Sequence, residues 1–232
     1  EIERVKTQYV SRTVQGLEQV GGFGGKAVAL AEGQLYANDP EFYKKELQAY
    51  AAVTPAQVQA ALQKWLSRPS YTLTTLPGDR EAYAEAAASP SGANHEPAPE
   101  IERVARMARP EIGQVANVDF PSVERTKLSN GLEVVYAQRD AVPATKIAVE
   151  FDAGLASDDR TKLGLQSLML DLMDEGTAQL NATQLAEAQE TLGASISTSA
   201  SMDRSMVQLS TVTPNLEPSV VLLADVVRNP AF

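Results

Sequence analysis

The sequence has no cysteine and only one histidine, His95, among 232 residues. Without cysteine there is no disulfide, no thiolate nucleophile and no zinc site built on sulfur. With one imidazole there is no two-histidine metal site, so most metalloenzyme chemistry is excluded from this chain. Basic residues are also scarce: 20 Lys and Arg stand against 30 Asp and Glu, a net charge of −10. That sign opposes binding to phosphate backbones or anionic lipid, and nucleic acid is not expected as a partner. No apolar run approaches the roughly 20 residues that span a bilayer. The opening residues Glu1-Ile2-Glu3-Arg4-Val5 carry no signal-peptide features.

What is present is ordinary globular composition, with 44% hydrophobic and 22% charged residues. The first segment is read as helical, over about 1–20, 27–36, 40–52 and 55–66. Asp39-Pro40 sets a carboxylate acceptor before a proline at the first helical position, and Thr54-Pro55-Ala56-Gln57 has the form of a capping box. Val58, Ala61, Leu62, Trp65 and Leu66 fall on one face of the last of these helices. Tyr71–Leu76 is expected to form a short strand closed by Pro77-Gly78. Six of the thirteen prolines then fall between Pro77 and Pro121, and this stretch reads as a linker with room for a short helix near Glu100–Arg109.

After Pro121 the hydrophobic period becomes two. Val123–Leu128 and Leu132–Gln138 flank an Asn130-Gly131 hairpin turn, and Ile147, Val149 and Phe151 alternate in a third strand. Helices are expected at about 161–175, 182–192 and 216–227, with strands at about 194–200 and 206–213. Asn181 with Gln184 forms a cap pair, and Gly193 supplies a left-handed C-terminal residue. Strands and helices segregate, which predicts an α+β fold: a two-layer sandwich with a largely antiparallel sheet and helices on one face.

Gly21-Gly22-Phe23-Gly24-Gly25-Lys26 fails as a phosphate loop, because Val20 stands where the first glycine is needed and Ala27 replaces the magnesium-binding hydroxyl. Asn181-Ala182-Thr183 has the form of a glycosylation sequon, and capping accounts for the same residues. His95, alone among prolines, is expected to be solvated.

The informative stretch runs from Gly164 to Thr177. Leu165, Leu168, Met169, Leu172 and Met173 have helical spacing, as a core helix would. Bounded by Gly164-Leu165 and Gly176-Thr177, the stretch also resembles the helix of insulinase/pitrilysin-type zinc peptidases that bears the inverted motif H-x-x-E-H. In that alignment Ser167 and Asp171 take the histidine positions and Leu170 takes that of the glutamate. The resemblance continues through Leu128–Val135, Phe151–Gly154, Leu192–Ser197, Thr213–Leu216 and Leu222–Phe232. It also covers Gly21–Tyr36 and Tyr50–Leu66 on the other side of the linker.

The resemblance implies a metalloprotease half-unit fold, incomplete at both ends. Residues 1–78 would close a first peptidase half, 79–117 would link, and 118–232 would begin a second, inactive half. It implies no catalytic, cofactor-binding or metal-binding residue here, since Ser167, Leu170 and Asp171 supply neither nitrogen donors nor a base. By itself the chain would not be an enzyme; zinc would sit in the other half of a parent metallopeptidase. The implied partners are a peptide or unfolded polypeptide and the catalytic half, in the same chain or in a separate subunit. The implied location is periplasmic or secreted, in a bacterium. A noncatalytic structural or chaperone-like core subunit, and an inactive partner of a separately encoded peptidase, remain the alternative roles.

Overall fold

The computed structural model describes residues 1–79, 111, 113 and 120–232. His95, the helix expected near Glu100–Arg109 and nearly all of the linker 79–117 lie outside the described residues. Four helices come first: α1 (Ile2–Gly16), α2 (Lys26–Ala37), α3 (Phe42–Ala51) and α4 (Pro55–Leu66). Then follow β1 (Val123–Lys127), β2 (Glu133–Ala137), β3 (Ala144–Phe151), α5 (Leu165–Met173), α6 (Ala182–Leu192), β4 (Ser195–Ala200), β5 (Ser205–Val212) and α7 (Leu216–Arg228).

Local chemistry sets several of these boundaries. Thr54 Oγ1 accepts from the Gln57 N–H at 3.3 Å while the Gln57 side chain accepts from the Thr54 N–H at 2.8 Å, closing the predicted box at the start of α4. Asn181 and Gln184 do the same for α6, at 3.0 and 3.1 Å. Asp39 behaves differently from the expectation. Its carboxylate accepts from the Glu41 N–H at 3.0 Å and forms a turn, so α3 begins at Phe42. Tyr71–Leu76 is not a strand: no described strand pairs with it, and an extended segment without a neighbour leaves its backbone to solvent.

The fold is α+β. β1 and β2 form a two-stranded antiparallel hairpin, and a separate three-stranded antiparallel sheet has the order β3-β5-β4. Along β5, Ser205, Val207, Leu209 and Thr211 are buried on one face. Leu170 and Met173 of α5, Leu185 of α6, Ile196 of β4, and Leu222, Leu223 and Val226 of α7 complete one core with Val207 and Leu209. At the rate of about 1.5–3 kcal/mol for a fully buried aliphatic side chain, this cluster supplies most of the drive for folding in the C-terminal part. Thr211 and Ser219 sit inside it as a hydrogen-bonded pair at 2.9 Å, and Ser219 donates on to the Asn215 carbonyl at 2.7 Å.

Helices α1–α4 contribute no buried apolar side chain to this cluster. Leu35, Tyr36, Leu62, Trp65 and Leu66 are exposed. Within this part Tyr9 of α1 stacks on Tyr50 of α3, with ring centroids 3.7 Å apart. The helix α1 also crosses to α6 and to the outer face of the sheet, where Gln15 Oε1 accepts from Ser210 at 3.2 Å and Glu18 pairs with Lys146 at 2.8 Å.

Candidate functional site: the α5 helix

The site is assembled from the loop before α5. Asp158 caps this helix twice: one carboxylate oxygen accepts from the Gly164 N–H at 2.7 Å and the other from the Gln166 N–H at 3.0 Å. Two of the donors that a helix start leaves free are thereby satisfied. The Gln166 side chain then donates to Ser205 Oγ at 2.6 Å, and Ser205 donates to the Ala153 carbonyl at 2.7 Å, tying α5 to β5 and to the end of β3. At the far end, Gly176-Thr177 is bound to the end of α7 through Ala178 N–H to Asn229 at 2.8 Å and Ala231 N–H to Gly176 at 3.0 Å. Two stretches that carry the sequence resemblance, Gly176-Thr177 and Asn229–Phe232, therefore meet in space. The Asp225 carboxyl is held below its ordinary value, first by a hydrogen bond from Thr177 and then by Asn229.

The apolar residues of α5 do not divide as the periodicity predicts. Leu170 and Met173 enter the core, and Met169 packs against it. Leu165, Leu168 and Leu172 face outward, with exposures of 52%, 55% and 38%. The helix is apolar around most of its circumference, so spacing alone cannot select the buried side; contact with β4 does.

The motif positions follow from that orientation. Ser167 is half-buried and Asp171 is exposed, one turn apart on the flank of the helix, while Leu170 is only 3% exposed inside the core. A hydroxyl, a solvated carboxylate and a buried isobutyl group do not fit zinc, which needs nitrogen, sulfur or several carboxylate donors around one point. Among the described residues no group of three His, Cys, Asp or Glu side chains gathers in metal-binding geometry. The Asp158 cap and the Gln166–Ser205 tie could not be read from the sequence, because no spacing rule links a loop carboxylate to a donor six residues on or a helix side chain to a strand 39 residues away.

The glycine-rich turn before α2 is likewise closed to phosphate. The Lys26 and Ala27 N–H groups already donate to the Gln19 and Val20 carbonyls at 2.8 and 2.9 Å. At Gly25 a Cβ would stand 2.4 Å from the Gly21 carbonyl oxygen, so the turn folds onto itself and leaves no cradle.

Strand β2 and the sheet and helices that follow it coincide with a known family pattern: residues 133–232 match the model of Insulinase (Peptidase family M16). Over these residues the chain is similar to the insulinase-type peptidases. Solved structures of the same kind align with about half of the chain. A peptidase M16 inactive domain from Pseudomonas fluorescens is 26% identical over 48% of this chain and 27% of its own, with a TM-score of 0.45. A protease from Helicobacter pylori is 23% identical over 49% of this chain and 27% of its own, with a TM-score of 0.45. Pitrilysin is 23% identical over 49% of this chain and 12% of its own, with a TM-score of 0.43. The aligned segment thus spans about a quarter of the first two structures and an eighth of pitrilysin. No curated protein matches the chain.

Proposed function

We propose that residues 118–232 are the start of a noncatalytic half of a two-half zinc metalloendopeptidase, where they help to enclose and position a peptide substrate. The observation that carries this reading is the insulinase-type helix α5 with Ser167, Leu170 and Asp171 at the motif positions, Leu170 being locked in the core. In this reading residues 1–78 close the preceding half, 79–117 connect the two, and zinc resides in that other half. Its partners are an extended peptide and the catalytic half. The family resemblance favours the periplasm or a secreted location in a bacterium. No described helix is long and apolar enough to cross a membrane.

The role assigned is closure and positioning. Holding an extended peptide against a metal and excluding bulk water require an opposing wall, whereas metal ligation is local to the half that owns the ligands. Deleting everything from Val118 onward in the parent protein should leave its zinc content intact while sharply lowering peptide turnover. Full turnover by the shortened parent would remove the proposed role. A parent without zinc would replace it with a structural one.

A further inference from the structure

Polar pairs join α1, and the turn that follows it, to the C-terminal part. Arg4 pairs with Glu190 of α6, and Gln8 donates to the same carboxylate at 3.1 Å. Gln15 donates to the Gly193 carbonyl at 3.4 Å and accepts from Ser210 at 3.2 Å. Glu18 pairs with Lys146 at 2.8 Å. Ser11 is the one buried residue of α1, and its hydroxyl turns back to the Thr7 carbonyl of its own helix. The ion-pair side chains keep 26–53% of their surface in water, so salt reaches them.

Gly193 makes the close approach geometrically possible. Its φ of +60° is one that L side chains rarely adopt, and a Cβ there would stand 2.4 Å from Ser11 Oγ and 2.7 Å from Ser11 Cβ. The same residue that ends α6 thus opens a notch for α1. Against this, the core of nine apolar side chains lies wholly between Leu170 and Val226 and draws none from α1. Undocking α1 therefore removes polar pairs and leaves the core closed, which is how polar intrachain interfaces come to move.

We propose that α1, together with the turn that follows it, is a detachable clasp, held on α6 and the outer face of the sheet by the Arg4–Glu190 pair of the helix and the Glu18–Lys146 pair of the turn around the Gly193 notch, and released by rising ionic strength while the α5–α7 core stays folded. The clasp sets whether residues before the linker move with residues after it. This inference rests on the α1 contacts alone and stands apart from the reading of α5.

Hydrogen exchange on the full chain tests it. A free 15-residue helix is marginal in water, so released α1 exchanges quickly. Between about 0.02 M and about 1 M sodium chloride, protection of α1 amides should fall at least about tenfold while that of β5 holds. Glu190→Gln should reproduce much of that loss at low salt, and the charge swap Arg4→Glu with Glu190→Arg should restore protection and its salt dependence. Protection of α1 that ignores both salt and Glu190→Gln would overturn the proposal, as would loss of α1 and β5 protection together.

Discussion

Thr198 on β4 donates its hydroxyl to the Leu170 carbonyl across 3.0 Å. Leu170 belongs to the last turn of α5, whose carbonyls have no further helical N–H to accept from, so a strand side chain supplies the missing partner. Thr198→Val keeps the shape and removes the donor. It should destabilise the C-terminal part by about 1–3 kcal/mol, read as a lower midpoint in urea with an unchanged slope. A midpoint equal to the parent's would mean that water caps the carbonyl equally well.

Rebuilding the inverted motif tests the orientation of α5. Ser167→His and Asp171→His place imidazoles on the flank and should be tolerated, with weak zinc binding because two nitrogens alone do not fix the ion. Adding Leu170→Glu puts a carboxylate at a position 3% exposed in the core. That third change should cost several kcal/mol and lower the Tm steeply. A triple variant that folds like the parent and binds zinc tightly would show that α5 can rotate to present all three.

Asp158 holds two backbone N–H groups of the α5 start at once. Asp158→Ala should cost about 0.5–2 kcal/mol and speed exchange at Gly164 and Gln166, while Asp158→Asn should recover part of the loss. Equal stability of Asp158→Ala and the parent would assign the cap to solvent.

The Glu18 carboxyl sits below its ordinary value, chiefly through the hydrogen bond from Lys146, with help from the charges of Lys146 and Arg139 and against partial burial. Its folded value is the lower one. It therefore adds stability to the docked α1 at pH above the ordinary carboxyl value, and that contribution fades as acid carries the pH down through the depressed value. Glu18→Gln should remove about 0.2–1 kcal/mol at neutral pH and flatten this limb of the acid titration of α1 protection. An acid limb identical in Glu18→Gln and the parent would place the effect on other carboxylates.

Features written within a few residues were legible in the sequence. The Thr54/Gln57 and Asn181/Gln184 boxes each join two positions three apart, and the alternation read in β3 marks Ile147 and Val149 as packing on the core, while Phe151, the third residue of that pattern, is exposed at the strand's end. The side that α5 turns inward was not, because leucines and methionines surround it and only β4 breaks the tie. Tyr71–Leu76 has strand composition, but a strand exists only with a neighbour, and composition does not say where one is. The Arg4–Glu190 pair joins residues 186 positions apart, beyond any local pattern. At the motif, Ser167 and Asp171 could be placed one turn apart from spacing alone; the core position of Leu170 required the packing.

The order β3-β5-β4 has a temporal side. β5 is the middle strand of its sheet and the last of the three to be synthesised, so neither β3 nor β4 has a hydrogen-bonding neighbour in that sheet until residues 205–212 leave the ribosome. Phe151 waits for Ser205 and Ala144 for Val212, so β3 stays unpaired on the nascent chain through the whole synthesis of α5 and α6, and β4 is then a second unpaired strand until β5 follows. At about 5–20 residues per second that interval lasts several seconds, long enough for a holdase chaperone to find them. Translation pauses placed before β5 should then raise aggregation, and pauses placed after it should not.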